Sequence, residues 1–143
     1  MTYFNVSPQA MADALYMPIE RMHRILGLPE FRNIVPRSTS DRRIRLNGRQ
    51  AFIIFITGDC VRFGMKCPLA ASIALRIAEA LAFNADAETV NIEFRRNGAS
   101  FAFVGNEATD AAGAAGPARW RLSFNIAAYR TAVDAVMSDC DAE

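Results

Sequence analysis

Ser7-Pro-Gln-Ala-Met-Ala-Asp-Ala-Leu-Tyr16-Met17-Pro18-Ile-Glu-Arg-Met-His-Arg-Ile-Leu26 holds two short helical patterns, Pro8–Tyr16 and Ile19–Leu26, joined only by Met17-Pro18. Ser7 is a good N-cap, because its hydroxyl oxygen can accept from an amide of the first turn. Pro8 at the first helical position gives up no hydrogen bond it would have made. Met11, Ala14 and Leu15 then form an apolar stripe, and Ala12 is the small side chain two crossing helices need. Pro18 opens the second pattern at its own first turn. There Met22, Ile25 and Leu26 recur at helical spacing and face the first helix, while Glu20, Arg21, His23 and Arg24 fall on the other side. Gly27 ends it. Both patterns are shorter than about three turns, so each must pack on something larger.

Outward from this pair runs a connector, Leu28–Pro36, with Phe31, Ile34 and Val35 as apolar anchors. Next comes Arg37-Ser-Thr-Ser-Asp-Arg42-Arg43-Ile44-Arg45-Leu46-Asn47-Gly48-Arg49. Ser38–Asp41 reads as a turn. Arg42–Leu46 alternates, so Ile44 and Leu46 face in while Arg43 and Arg45 face out, as in a short strand. The expectation is a β-turn-β ribbon with arginines at its tip and outer face. Two short helices around a tight turn, beside a basic ribbon, suit a DNA groove and its flanking phosphates.

Asn47 reads as the N-cap of a further helix. Phe52–Ile56 would also suit a buried strand by β-propensity. Helix is favoured, because Ala51, Phe52, Phe55, Ile56, Cys60 and Phe63 fit one helical face and Gly64 stops the pattern. Cys67-Pro68 restarts a helix through Leu69, Ile73, Ile77 and Leu81 to about Phe83. Residues 84–143 change character. Thr89–Phe94 and Ser100–Val104 alternate with period two around Arg96-Asn97-Gly98-Ala99, and Asn-Gly is a strong hairpin signal. Gly105–Pro117 is a low-complexity loop. Trp120–Phe124 is a third strand, and Asn125 caps a last helix carrying Ile126, Tyr129, Val133, Val136 and Met137. The acidic tail Ser138–Glu143 is expected to fray.

Bulk numbers bound the rest. The 143 residues fit one domain or a small domain with an appendage, and 52% apolar content supports a sizeable core. The longest apolar run, Ala51–Ile56, is far short of the about 20 residues that span a bilayer. No charged, apolar, small-residue leader opens the chain, so a cytosolic protein is expected. Residues 1–50 hold eight arginines against Asp13, Glu20, Glu30 and Asp41, a net +4, while residues 51–143 are net −3. A basic front and an acidic back suit a protein that points one end at a polyanion. Cys60, Cys67 and Cys140 are odd in number and lack CxxC spacing, which argues against a disulfide framework or structural zinc. A single histidine, His23, anchors no metal or catalytic constellation by itself.

From Ser7 to about Phe83 the chain resembles the MerR-type winged helix-turn-helix. The resemblance rests on Ser7-Pro8-Gln9-Ala10-Met11-Ala12, the basic Arg42-Arg43-Ile44-Arg45-Leu46 wing and the capped helix at Asn47. It also rests on Phe63-Gly64-Met65 followed by Pro68-Leu69-Ala70-Ala71. It implies a sequence-specific, dimeric DNA-binding protein whose second short helix enters the major groove. Three features depart from it. Tyr16 stands at the turn where glycine is usual, the 28–41 connector is long, and a hairpin, strand and helix replace the long coiled-coil helix.

The expectation is therefore an α+β protein with a winged helix-turn-helix module at 1–83 and a β-hairpin, strand and helix dimerisation region at 84–143. DNA contacts fall on Glu20, Arg21, His23, Arg24, Arg37, Arg42, Arg43, Arg45 and Arg49. Dimer contacts fall on Phe94, Phe101, Phe103, Trp120, Phe124 and Tyr129, which offer more aromatic surface than one small helix buries. Plainer readings exist for each: α-hairpin packing for the two helices, an i,i+4 ion pair for Glu20 and Arg24, and a solvated loop for the arginines. Expected partners are double-stranded DNA, a second copy of the chain, and RNA polymerase or another regulator. No catalysis, metal, cofactor or membrane is expected, and the location is cytoplasmic at the nucleoid. The alternatives are a phage-type DNA-packaging or excision factor and a protein-interaction module that binds no DNA.

Overall fold

The computed structural model describes residues 6–35, 44–95, 100–104 and 118–141. The elements are α1 (Pro8–Ala14), α2 (Ile19–Leu26), a 3-10 turn (Pro29–Phe31), α3 (Gly48–Arg62), α4 (Cys67–Phe83), β1 (Thr89–Arg95), β2 (Ser100–Val104), β3 (Ala118–Asn125) and α5 (Ile126–Asp141). Helices and one antiparallel sheet make this an α+β protein. Its contacts divide into two compact units, Met1–Ala74 with Tyr129–Glu143, and Leu75–Ala128. The boundary thus differs from the 83/84 break expected from the change in composition, and most of α5 groups with the first unit. The reason is local: the Tyr129 ring meets Phe55 edge-on at 6.1 Å, and Met137 Sδ lies against Gly48 of α3.

In the first unit α3 is the centre. Asn47 accepts from the Gln50 amide at 2.9 Å while Gln50 Oε1 accepts from the Asn47 amide at 2.8 Å, a reciprocal capping box. Gln50 also donates to the Ile34 carbonyl at 2.7 Å, which ties the connector to the helix start. Asn47→Ala should therefore cost about 1–2 kcal/mol in urea unfolding, from the cap and the box together. An unchanged midpoint would mean that solvent replaces both bonds. The one-sided apolar face expected for α3 is corrected. Ala51, Ile53, Ile54, Phe55, Ile56, Thr57, Gly58 and Cys60 are all buried, so the helix is covered nearly all round, whereas Phe63 is exposed. Buried Thr57 satisfies its hydroxyl by donating to the Ile53 carbonyl at 2.8 Å.

Helices α1 and α2 follow the sequence reading closely. The Ser7 hydroxyl oxygen accepts from the Ala10 amide at 3.1 Å. Met11, Ala12 and Leu15 are buried, as are Met22, Ile25 and Leu26. The turn between them is a Schellman closure: the Met17 amide donates to the Ala12 carbonyl at 3.0 Å and the Tyr16 amide to Asp13 at 3.2 Å. That closure needs a left-handed residue, and Tyr16 supplies it at φ 53°. A non-glycine residue there carries roughly 1 kcal/mol of backbone strain. The Arg62 guanidinium stacks 5.6 Å from the Tyr16 ring and offsets part of that. Buried Gly58 lies directly beneath this turn, where an added Cβ would sit 2.5 Å from Leu15 Cδ1 and 3.2 Å from Met17 Cε. The same closure ends α3, with Gly64 at φ 100° and the Met65 amide donating to Cys60 at 3.1 Å.

Helix α4 spans the predicted range, and its buried face is largely alanine: Ala70, Ala71, Ile73, Ala74, Ile77 and Ala78. In the second unit the strand order is β2-β1-β3. Phe94 pairs with Ser100 across the β1–β2 ladder, as the hairpin pattern predicts, while Asn97 and Gly98 lie outside the described residues. Central β1 puts Val90, Ile92 and Phe94 on one face and Asn91 and Glu93 on the other. Those two polar side chains are buried but paired. Ser123 donates to Asn91 Oδ1 at 2.5 Å, and Arg121 donates to Glu93 Oε1 through Nε at 3.0 Å and through Nη2. Asn125 caps α5 by accepting from the Ala128 amide at 3.0 Å. Of the acidic tail Ser138–Glu143, residues to Asp141 continue α5, and Ala142 and Glu143 lie outside the described residues.

Candidate nucleic-acid interface

Helix α2 is anchored by Met22, Ile25 and Leu26, and this fixes its opposite face outward. Glu20, Arg21, His23 and Arg24 are all exposed there. None of the four makes a side-chain hydrogen bond or ion pair among the described residues, so Glu20 and Arg24 are not the i,i+4 pair that spacing allows.

The following segment comes back beside this face. Leu46 forms an antiparallel bridge with Val6, its amide donating to the Val6 carbonyl at 2.9 Å and its carbonyl accepting from the Val6 amide at 2.7 Å. The expected alternation holds where it is described: Ile44 is half-buried, Arg45 exposed and Leu46 fully buried. The contact is a single-residue bridge to Val6, ahead of α1, and the described residues 44–46 form no strand of the expected ribbon. Arg37, Arg42 and Arg43 lie outside the described residues. Ser7, Pro8, Gln9, Ile19, His23, Ile44 and Arg45 line one open groove of about 320 Å³. His23 and Arg45, 22 positions apart in the chain, therefore share a cleft. Arg49, in the first turn of α3, is exposed.

Charge pairing differs along the chain. Arg21, Arg24, Arg32, Arg45 and Arg49 have no side-chain hydrogen bond or ion pair among the described residues. Arg62 and Arg121 pair with Asp59 and Glu93. An unpaired guanidinium keeps its donors available for a phosphate or a base edge.

The dimer positions separate. In the register Phe101 stands opposite Glu93, Phe103 opposite Asn91 and Trp120 opposite Phe94. Phe94 is half-buried and Phe124 is buried within the chain. Tyr129 does not belong to a free surface: its hydroxyl donates to Asp59 Oδ2 at 2.7 Å and its ring packs on Phe55. Asp59 also holds Arg62 at 3.4 Å. Asp59, Arg62, Tyr129 and Tyr16 thus form one connected group of contacts. No local signal joins residues 70 positions apart.

Burial pushes the Cys60 thiol from 9.0 up to about 11, with the neighbouring Asp59 carboxylate adding to it. Burial and the hydrogen bond to Asp59 also raise the Tyr129 phenol. Both groups are neutral in the fold and ionise more readily once unfolded. Their stability contribution is complete below pH 9.0 for the thiol and is lost as pH rises through about 11. The unfolding free energy from urea titrations should therefore fall across that window, by on the order of 1–2 kcal/mol, and Cys60→Ala should flatten the fall. An identical alkaline loss in Cys60→Ala would assign it elsewhere.

Among the described residues no group of three or more His, Cys, Asp or Glu side chains converges as a metal site would require. None of their helices is long and apolar enough to cross a membrane. No protein-family model matches the chain, and comparison with curated proteins finds no similar sequence.

Proposed function

We propose that this chain is a sequence-specific DNA-binding transcriptional regulator of the winged helix-turn-helix kind, acting as a homodimer at the nucleoid. The observation that carries the reading is the unpaired polar face of α2, which shares one groove with Arg45. Helix α2 is the recognition helix, with Arg21 and Arg24 reading base edges and Glu20 accepting from cytosine. Arg45 and Arg49, with Arg37, Arg42 and Arg43 by sequence, hold phosphates and set the register. An eight-residue helix gains little affinity alone, so pairing two copies places two of them in successive grooves.

The pairing surface is the sheet. Among the described residues neither β2 nor β3 has a second strand partner, and such edges need pairing or cover. Phe94, Phe101, Phe103 and Trp120 lie at this end of the chain; buried Phe124 and bonded Tyr129 are left out of the contact surface.

Selection of bound duplexes from a random pool tests the reading. A palindromic consensus with half-sites about one helical turn apart supports a dimeric regulator. Weak preference with strong bending supports an architectural factor instead, and no enrichment rejects both. Light scattering should give a dimer at micromolar concentration; a monomer that binds its site tightly contradicts the pairing.

A further inference from the structure

His23 is the sole histidine of the chain, and it opens on the same groove as Arg45. Among the described residues the charged groups around it are few. On α2 they are Glu20, one turn before it, and adjacent Arg24; on the segment after the connector there is Arg45. From α1, Asp13 is already engaged by Gln9 at 2.8 Å. Ile19 and Ile44 give the groove apolar walls. One permanent cation and one titratable ring thus border a cleft with no acidic group among its described lining residues.

We propose that this groove seats a backbone phosphodiester of bound DNA, and that His23 takes up a proton from solvent as the phosphate enters. The inference rests on the DNA-binding reading above. Imidazole is the side chain whose charge ordinarily changes between pH 5 and 8, and a phosphate beside it favours the charged, doubly donating form. The complex therefore holds up to one proton more than the free partners, and affinity rises as pH falls.

The test uses the full chain and a random-sequence duplex, by fluorescence anisotropy at fixed ionic strength. Wild-type affinity should drop several-fold, up to about tenfold, between about pH 6 and about pH 8. His23→Gln should be weak and flat across that range, and His23→Arg tight and flat, which also shows that the fold tolerates substitution. Arg45→Gln should lower the magnitude of the logarithmic salt slope by about 0.9, the share of one phosphate contact. Binding of wild type that is flat with pH, or a His23→Gln variant that keeps the wild-type pH dependence, overturns the proposal and leaves the DNA-binding reading standing. No DNA binding at any pH overturns both. Inorganic phosphate separates the two sources of the anion. If the His23 ring resonances shift with millimolar phosphate but not with duplex, the groove is a free-anion site and the phosphodiester assignment falls. A shift with micromolar duplex supports it.

Discussion

Gly58→Val should destabilise the protein by about 3 kcal/mol, and the loss should extend to DNA binding. The position is on the buried side of α3, and any Cβ there would come within 2.5 Å of Leu15 Cδ1. Leu15 is fully buried and has nowhere to swing. Two effects oppose each other. Replacing glycine within a helix gains up to about 1 kcal/mol of propensity, whereas forcing atoms into a packed interior costs about 1–3 kcal/mol or more. For alanine the two nearly offset; for valine, with two more methyl groups and a weaker propensity gain, overpacking wins. The atoms displaced belong to the turn between α1 and α2, so relief comes by lifting that turn and re-aiming α2. Urea unfolding of glycine, alanine and valine variants checks the order. Equal stability for all three would mean that the turn is not seated on α3.

If α2 is the recognition helix we propose, alanine at whichever of Arg21 and Arg24 reads a base should cost about 1–3 kcal/mol on the selected site and much less on random duplex. That is up to roughly a hundredfold in affinity at the upper end. Both side chains are exposed and unpaired among the described residues, so their removal breaks no internal bond and the fold should be unaffected. Equal losses on both DNAs would make the arginine a phosphate contact that sets register without reading sequence.

The elements most legible in the sequence are those with a local cap. Ser7-Pro8, Asn47 with Gln50, and Asn125 each announce a helix through a side chain that satisfies an amide within one turn, and each does so in the structure. The three strands fall on the segments Thr89–Phe94, Ser100–Val104 and Trp120–Phe124 that the sequence pattern marks. Helix α3 was harder because it is buried nearly all round, so no polar stripe marks its face and a strand fits the same residues. An isolated glycine inside that pattern, Gly58, was the available sign of a close approach. At the candidate interface, the outward face of α2 was legible because its apolar residues recur at helical spacing. The bridge from Leu46 to Val6 was not, since one residue pair leaves no periodic signal. The inward turn of Tyr129 was not either, because Asp59 is distant in sequence and an aromatic residue on an amphipathic helix reads equally well as a surface contact.

The DNA-binding account is tested most directly by the affinity of the full-length chain for duplex DNA measured against salt concentration. With Arg21, Arg24, Arg45 and Arg49 exposed and unpaired among the described residues, the account predicts measurable binding at low salt. It also predicts a logarithmic slope of about −2 or steeper, since Arg45 and Arg49 alone neutralise two phosphates and each contributes about −0.9. A folded protein with no detectable duplex binding at low salt, or with binding indifferent to salt, would contradict it.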